Sequence, residues 1–218
     1  WRIPIGSNLP APREPQSVRQ RLGLPVKRPL VVFFGFRQPE KGLETLVAAI
    51  ARLPEPRPLL VLLGGERPDA PGAQIGETTT GWIPNAIPCT DLGYRPAQDV
   101  ADLLAAADIV ALPYRDGASL RNGTLIAALA CGAAVVTTRP ADPATLAPLC
   151  DGEHCCLVPP NEPQALARAL AELLADPARR AHLRTGAGAI ATAFAWERIA
   201  QRHAQLYDVI LARLPRSR

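Results

Sequence analysis

The sequence predicts an α/β fold with three layers, in which a mostly parallel sheet carries helices on both faces. Short apolar runs that read as strands alternate along the chain with segments whose apolar residues recur every three or four positions, as in amphipathic helices. Most strand runs are continuously apolar, which is typical of parallel strands buried on both sides. In such sheets ligands bind beyond the carboxyl ends of the strands, at a switch point in strand order.

The first strand and helix follow an entry segment. Residues 1–28 are rich in Pro, Arg and Ser and include a short helical stretch at 16–24. Strand 29–36 is β-branched and aromatic, with a glycine near its end. Helix 40–53 follows, because its apolar residues fall on one face at three- and four-residue steps: Leu43, Leu46, Val47, Ile50 and Leu53.

The middle of the chain repeats the alternation after an interruption. Strand 58–65 is a second apolar run and ends in two glycines. Residues 66–88 show no period, since Pro, Gly and three consecutive Thr dominate, so we expect an irregular segment there. A short strand at 90–94, helix 97–107 and strand 108–114 come next.

The last third begins with helix 122–131, which stops at a Cys-Gly pair and leads into the β-branched strand 133–138. A turn at 151–154 precedes strand 155–160. Three helices close the chain, at 162–176, 177–194 and 196–214.

Composition excludes several classes of protein. The chain has 218 residues, 48% hydrophobic and 20% charged, which suits a globular protein with a core. The net charge of +4 is too small and scattered for DNA binding, and no basic stretch is interleaved with aromatics, so we expect no nucleic-acid partner. No apolar run approaches the ~18–20 residues that span a bilayer. The chain lacks Met, and we expect it to be a fragment or a processed product.

Cysteine and histidine patterns predict no metal site. The five cysteines include a cluster at 150–156, but its spacing matches no zinc signature. We expect reduced cysteines in a cytoplasmic protein. The histidines support no catalytic triad, and the chain has no Walker P-loop, no GxGxxG after a strand and no GxSxG.

Two strand-to-helix loops have the composition of phosphate-binding sites. The loop 35–42 holds Arg37 and Lys41 close to a helix start, where the helix dipole also favours an anion. The alternative is that both are solvated surface charges. In the loop 114–124, Asn122 is a candidate N-cap, and Gly123 and Thr124 would present free N–H groups beside Arg121. The alternative there is an ordinary capped helix.

Taken in order, five segments resemble the C-terminal, donor-binding half of a GT-B glycosyltransferase of the group 1, family 4 type. They are 3-IPIGSNLP-10, 31-VVFFGFRQPEKGLETLVAAI-50, 92-LGYRPAQDVADLLAAADIVALPYRDGAS-119, 127-AALACGAAVVTT-138 and 151-DGEHCCLVPPNEPQALARALAELLADPARRAHL-183. The resemblance implies a Rossmann-like domain that binds a nucleoside-diphosphate sugar, as donor substrate with no further cofactor, in a retaining transferase. It also implies an N-terminal acceptor domain that this chain lacks, without which the fragment should be inactive.

The resemblance divides the chain into three parts. Residues 1–28 are the interdomain linker and entry segment, 29–195 the nucleotide-sugar domain, and 196–218 a helix that crosses back to the N-terminal domain, followed by a tail. Apolar residues of that helix, such as Leu206 and Ile210, are then exposed or repacked here. The resemblance implies a cytoplasmic protein and leaves open a peripheral contact of the full-length enzyme with the inner face of the membrane.

The resemblance also assigns roles to residues. The expected catalytic residues, which stabilise the departing phosphate, are Lys41, Arg37 and Arg121. The expected diphosphate-binding residues are Gly35, Phe36, Ser119, Asn122, Gly123 and Thr124. The expected base-binding region, which acts through its backbone, is Gly93, Tyr94 and Arg95.

The sequence departs from the family pattern at both loops. In the family's G-R-x-x-x-x-K-G run, Lys41 matches the lysine, but Phe36 stands at the arginine position and Arg37 is one residue late. The family's E-x7-E glutamates fall at Ser119 and Ala127, so both carboxylates are missing. Losing a charge-assisted hydrogen bond to a sugar hydroxyl costs ~1.5–3 kcal/mol.

Three hypotheses follow for function. The first is the donor domain of a retaining glycosyltransferase. The second is a non-catalytic binding or scaffold domain that has lost the E-x7-E chemistry, and it gains support if Arg37, Lys41 and Arg121 point away from one another. The third is an unrelated phosphate-binding α/β protein, such as a flavodoxin-like regulator.

Overall fold

The structure is a computed structural model that describes residues 3–65 and 81–213. Within these ranges it contains a six-stranded, fully parallel sheet with helices on both faces, which confirms the predicted fold class. The strands are β1 Leu30–Phe34, β2 Leu59–Leu63, β3 Cys89–Gly93, β4 Ile109–Leu112, β5 Val135–Thr138 and β6 Cys156–Val158. The helices are α1 Val18–Arg21, α2 Leu43–Ile50, α3 Ala97–Ala106, α4 Gly123–Ala130, α5 Pro163–Ala175, α6 Pro177–Ala191 and α7 Trp196–Arg213.

The strand order is β3-β2-β1-β4-β5-β6, so the order reverses between β1 and β4. At that point β1 pairs with β2 on one side, Leu30 opposite Leu59, and with β4 on the other, Val31 opposite Ile109. The loops that leave β1 and β4 therefore diverge from neighbouring strands, and this is where doubly wound sheets bind ligands.

Alternation along the central strands builds a core on each face of the sheet. Leu30 and Val32 belong to a cluster that includes residues of α1, α3 and α4. Val31 and Phe33 belong to a second cluster with residues of α2 and α5. All four side chains are at most 1% exposed, and burying each contributes about 1.5–3 kcal/mol. The continuous apolar runs in the sequence arise because both faces are covered.

Several helix boundaries differ from the prediction, including those of α2 and α6. Helix α2 begins at Leu43 rather than residue 40, because Pro39–Lys41 forms a 3₁₀ turn and Gly42 takes a left-handed conformation with φ +70°. Helix α6 ends at Ala191, and a 3₁₀ turn, Thr192–Phe194, buries Phe194. Of the segment predicted to be irregular, residues 66–80 lie outside the described residues; 81–88 contain turns and no strand.

The entry segment is attached to the C-terminal part of the chain and to α3. The Ser7 N–H donates to the Phe194 carbonyl at 3.2 Å, and Trp196 Nε1 donates to Asn8 Oδ1 at 2.8 Å. Further along, the N–H of Arg13 donates to Oδ1 of Asp102, a 1% exposed carboxylate of α3, at 2.7 Å. The segment is thus ordered before the first strand begins.

None of the helices in the described ranges is both long and apolar enough to cross a membrane.

Candidate functional site

The loops after β1 and β4 meet at a corner that we call the switch-point corner, formed by Gly35, Lys41, Tyr114, Gly123 and Thr124. The Nζ of Lys41 lies 5.2 Å from the centroid of the Tyr114 ring, within range of a cation–π interaction. The Tyr114 hydroxyl and Thr124 Oγ1 are 2.6 Å apart. A Cβ on Gly35 would lie 3.1 Å from the Thr124 methyl, so the two loops are in close contact. The topology therefore brings together parts of both predicted phosphate loops.

The amino terminus of α4 leaves two backbone donors free at this corner. Asn122 is the N-cap residue, but its Oδ1 accepts from the Ser119 N–H at 2.7 Å and caps no helical N–H. Leu125 and Ile126 donate to the Asn122 carbonyl, whereas the N–H groups of Gly123 and Thr124 have no acceptor within the described residues. Unpaired N–H groups and the positive end of a helix dipole together favour an anion.

Lys41 is a half-buried cation on the same corner. Burial lowers the pKa of Lys41, and the nearby Glu40 carboxylate acts in the opposite direction. In the part of the chain that the structure describes, no carboxylate lies within ion-pair distance of its Nζ. Burial also raises the pKa of Tyr114, which keeps its hydroxyl neutral. An anion bound here would compensate a charge that the fold has partly desolvated.

Arg37 lies elsewhere and is engaged internally. Its guanidinium forms an ion pair with Asp91 of β3, and the two side chains are only 8% and 10% exposed. The pair spans the end of β2, where the chain continues through Gly64 and Gly65. The absence of a side chain at Gly64 lets the loop after β1 approach closely, because a Cβ there would lie 2.5 Å from the Gly35 carbonyl oxygen. A β3 carboxylate thus neutralises one of the two cations expected on a diphosphate, and the role of Arg37 there stays a prediction.

The predicted base-binding region lies on the β3 side of the same edge. Gly93 has φ +59°, its N–H donates to Asp91 Oδ1 at 2.9 Å, and its carbonyl accepts from the Gly64 N–H at 2.9 Å. Tyr94 and Phe36 pack edge to face, with ring centroids 6.4 Å apart, and both rings are exposed. Arg95 is also exposed. Phe36 thus packs against a residue of the predicted base-binding region.

Arg121 and Ser119 line a separate cavity of about 490 Å³, whose other walls are the entry residues Ile3 and Pro4 and the turn at 144–147. The three predicted catalytic cations therefore do not share one contact cluster.

At the second family-glutamate position, Ala127 is 6% exposed within α4. An alanine methyl therefore lies at the position where the resemblance implies a carboxylate, and the assignment of that position stays a prediction.

The cysteines are all free thiols, as expected. Burial raises the pKa of Cys89 to about 11 and of Cys155 to about 12. Atoms of Cys150, Glu153 and His154 that can ligate a metal lie within 4.8 Å of one another. His154 Nδ1, however, accepts from the Cys150 N–H at 2.9 Å, and this bond closes the turn. The predicted lack of a metal site stays a prediction.

Comparison with known proteins identifies the family. A family model described as "Glycosyl transferases group 1" matches residues 28–176. The chain is 35% identical over 204 residues to a D-inositol 3-phosphate glycosyltransferase of Xylanimonas cellulosilytica, a match that covers 91% of the chain and 46% of that protein. A protein of the same name from Stackebrandtia nassauensis is 32% identical, with 87% and 43% covered. The chain spans about half the length of the curated relatives it matches.

Solved structures agree with the fold. A sucrose-phosphate synthase from Thermosynechococcus elongatus superposes with a TM-score of 0.76 at 29% identity, over 96% of this chain and 52% of that one. Anabaena HepE, solved in complex with UDP-glucose, gives 0.71 at 26% identity, over 92% and 54%. Because the family model matches most of the chain and these GT-B structures share its fold, the chain belongs to the group 1 glycosyl transferases.

Proposed function

We propose that this chain is the donor-binding half of a retaining glycosyltransferase, which binds a nucleoside-diphosphate sugar and supplies its sugar to an acceptor. The observation that carries the proposal is the switch-point corner. There Lys41, which has no carboxylate partner in the described residues, lies on the same corner as the unpaired N–H groups of Gly123 and Thr124. A diphosphate supplies the negative charge that this arrangement lacks.

The same groups suit the chemistry of transfer. When the bond between sugar and diphosphate breaks, negative charge develops on the leaving phosphate. Lys41 and the α4 amides would stabilise that charge from fixed positions, as preorganised donors do in other enzymes. Tyr114 acts as a positioning residue, because it contacts the Lys41 ammonium and hydrogen-bonds Thr124. Arg37, paired with Asp91, fixes the loop after β1 to β3.

For the nucleotide base we propose the edge beside β3. Gly93, Tyr94 and Arg95 offer backbone groups there, and the exposed rings of Phe36 and Tyr94 offer apolar surface. HepE was solved with UDP-glucose, and this makes UDP the first nucleotide to test.

We further propose that residues 29–195 form the donor domain, with 1–28 as the linker and the segment from 196 as the contact with an acceptor-binding half. Three apolar side chains of α7 support this: Tyr207, Ile210 and Leu211 are 58%, 46% and 65% exposed. A helix that presents such residues to water is typical of one that packs against another domain.

A second candidate is a non-catalytic domain that binds the nucleotide and transfers nothing. Two observations favour it: Arg37 is neutralised by Asp91, and Ser119 and Ala127 replace the family's glutamates. The two candidates differ in turnover by the full-length protein, not in nucleotide binding.

Isothermal titration with UDP, GDP and ADP tests the proposed function. Saturable binding of at least one nucleoside diphosphate is the expected result. Absence of binding by all three would contradict the donor-site proposal. Full-length protein that binds a nucleotide sugar but never hydrolyses or transfers it would favour the non-catalytic candidate.

A further inference from the structure

The cavity beside Arg121 has no role in diphosphate binding as proposed above. Its volume of about 490 Å³ falls within the ~300–1,000 Å³ of small-molecule sites. One wall is the entry segment at Ile3 and Pro4, and another is the turn at 144–147. The Leu120 N–H donates to the Thr145 carbonyl at 3.1 Å, so the Ser119–Arg121 wall is tied to the turn opposite.

Among the residues that the structure describes, the cavity's lining carries one formal charge, and that charge is positive. Arg121 is exposed, and its guanidinium has no hydrogen-bond or ion-pair partner among the residues that the structure describes. The described part of the lining contains no carboxylate. Asp142, the acidic residue that precedes the turn, uses Oδ1 to accept the Ala144 N–H at 2.9 Å.

The hydroxyls of the lining are already engaged. Thr145 Oγ1 donates to the Asp142 carbonyl at 2.7 Å. Ser119 Oγ donates to Asn122 Oδ1 at 3.4 Å and accepts the Arg121 N–H at 3.3 Å. Among the described lining residues, the free side-chain donors therefore belong to Arg121. A guanidinium binds carboxylate or phosphate through paired hydrogen bonds.

We propose that this cavity binds an anionic group, carboxylate or phosphate, carried by one of the two sugar substrates, with the Arg121 guanidinium as its partner. The proposal rests on the proposed function and deepens it. The missing glutamate at Ser119 and the free cation two residues later then have one explanation: the site favours a charged substrate over a neutral one.

Two titrations distinguish the source of the anion. The donor arm compares UDP-glucuronate with UDP-glucose, and the acceptor arm compares D-inositol 3-phosphate with inositol in the presence of saturating UDP. We expect the anionic ligand to bind about tenfold more tightly in one of the arms. Arg121→Gln should remove this preference. Arg115→Gln, which changes an exposed arginine of the same loop outside the cavity, should keep it.

The proposal would be overturned if neither arm showed a preference for the anionic ligand, or if such a preference survived Arg121→Gln. It would also be overturned if Arg121→Gln weakened the binding of both UDP-sugars equally, because that result would place Arg121 on the diphosphate. If no UDP compound binds, the proposed function fails, and the cavity is tested separately. In that case sodium glucuronate, but not glucose at matched ionic strength, should shift the Arg121 Nε–Hε NMR signal, and an unshifted signal would refute the cavity site.

Discussion

Replacing Asp91 with alanine should strongly destabilise the domain, since it removes the carboxylate that pairs with the Arg37 guanidinium at a site where that side chain is 8% exposed. Removing one partner of a buried ion pair costs about 3–5 kcal/mol. The Gly93 N–H also loses the carboxylate that accepts from it at 2.9 Å. For a chain of this size each kcal/mol lowers the melting temperature by about 2–4 °C, so we expect a fall of roughly 6–20 °C.

Urea and thermal unfolding, followed by circular dichroism, measure this effect. The double variant Arg37→Met/Asp91→Leu supplies the control, because replacing a buried pair with apolar residues is often neutral or stabilising. We expect it to unfold at a higher urea concentration than Asp91→Ala. A loss below about 1 kcal/mol for Asp91→Ala would refute the reasoning, since exposed pairs contribute no more than that.

Other variants test the backbone, the entry segment and the thiols. In thermal unfolding, Gly42→Ala should lower the stability of the protein more than Gly23→Ala. Both glycines have φ near +70°, but only at Gly42 would a Cβ overlap the Pro113 carbonyl oxygen. Equal losses of stability in the two variants would contradict this. Burial alone raises the pKa of Asp102, but hydrogen bonds from backbone N–H groups and side chains lower that pKa overall. The contribution of this carboxylate to folding stability is therefore present above about pH 4 and is lost as the pH falls through the folded pKa. The stability difference between wild type and Asp102→Asn should therefore shrink on acidification below pH ~4, and a difference independent of pH would argue against the buried carboxylate. Cys150, the exposed thiol, should react with Ellman's reagent in the native protein well before the other four, and simultaneous reaction of all five would show that the buried thiols open readily.

Most of the sheet was predictable because β1, β2 and β4 are buried on both faces and so read as apolar runs. The edge of the sheet that holds the candidate site was also expected, since ligands bind beyond the carboxyl ends of parallel strands at a switch point in strand order. The start of α2 was missed because Pro39 and Glu40 look helical in the sequence, whereas the left-handed Gly42 separates the 3₁₀ turn from the helix.

Side-chain partners were harder to predict than loops. Asp91 lies in β3, 54 positions after Arg37, and only the strand order brings their side chains together across β2. The Lys41–Tyr114 contact likewise depends on the β1–β4 pairing. An acidic residue in an otherwise mixed strand, 90-TDLGY-94, was the one signal in the sequence that pointed to the partner of Arg37.

The most direct test of the donor site is UDP binding to wild type and to two lysine variants, because Lys41 and Lys27 are the chain's lysines. Lys27 is exposed and lies far from the site in sequence, before β1. We predict that UDP binds far more tightly than uridine, that Lys41→Ala weakens UDP binding about 10- to 150-fold, and that Lys27→Ala matches wild type. Equal UDP affinity in Lys41→Ala and wild type, or UDP no tighter than uridine, would contradict a diphosphate site at the switch-point corner.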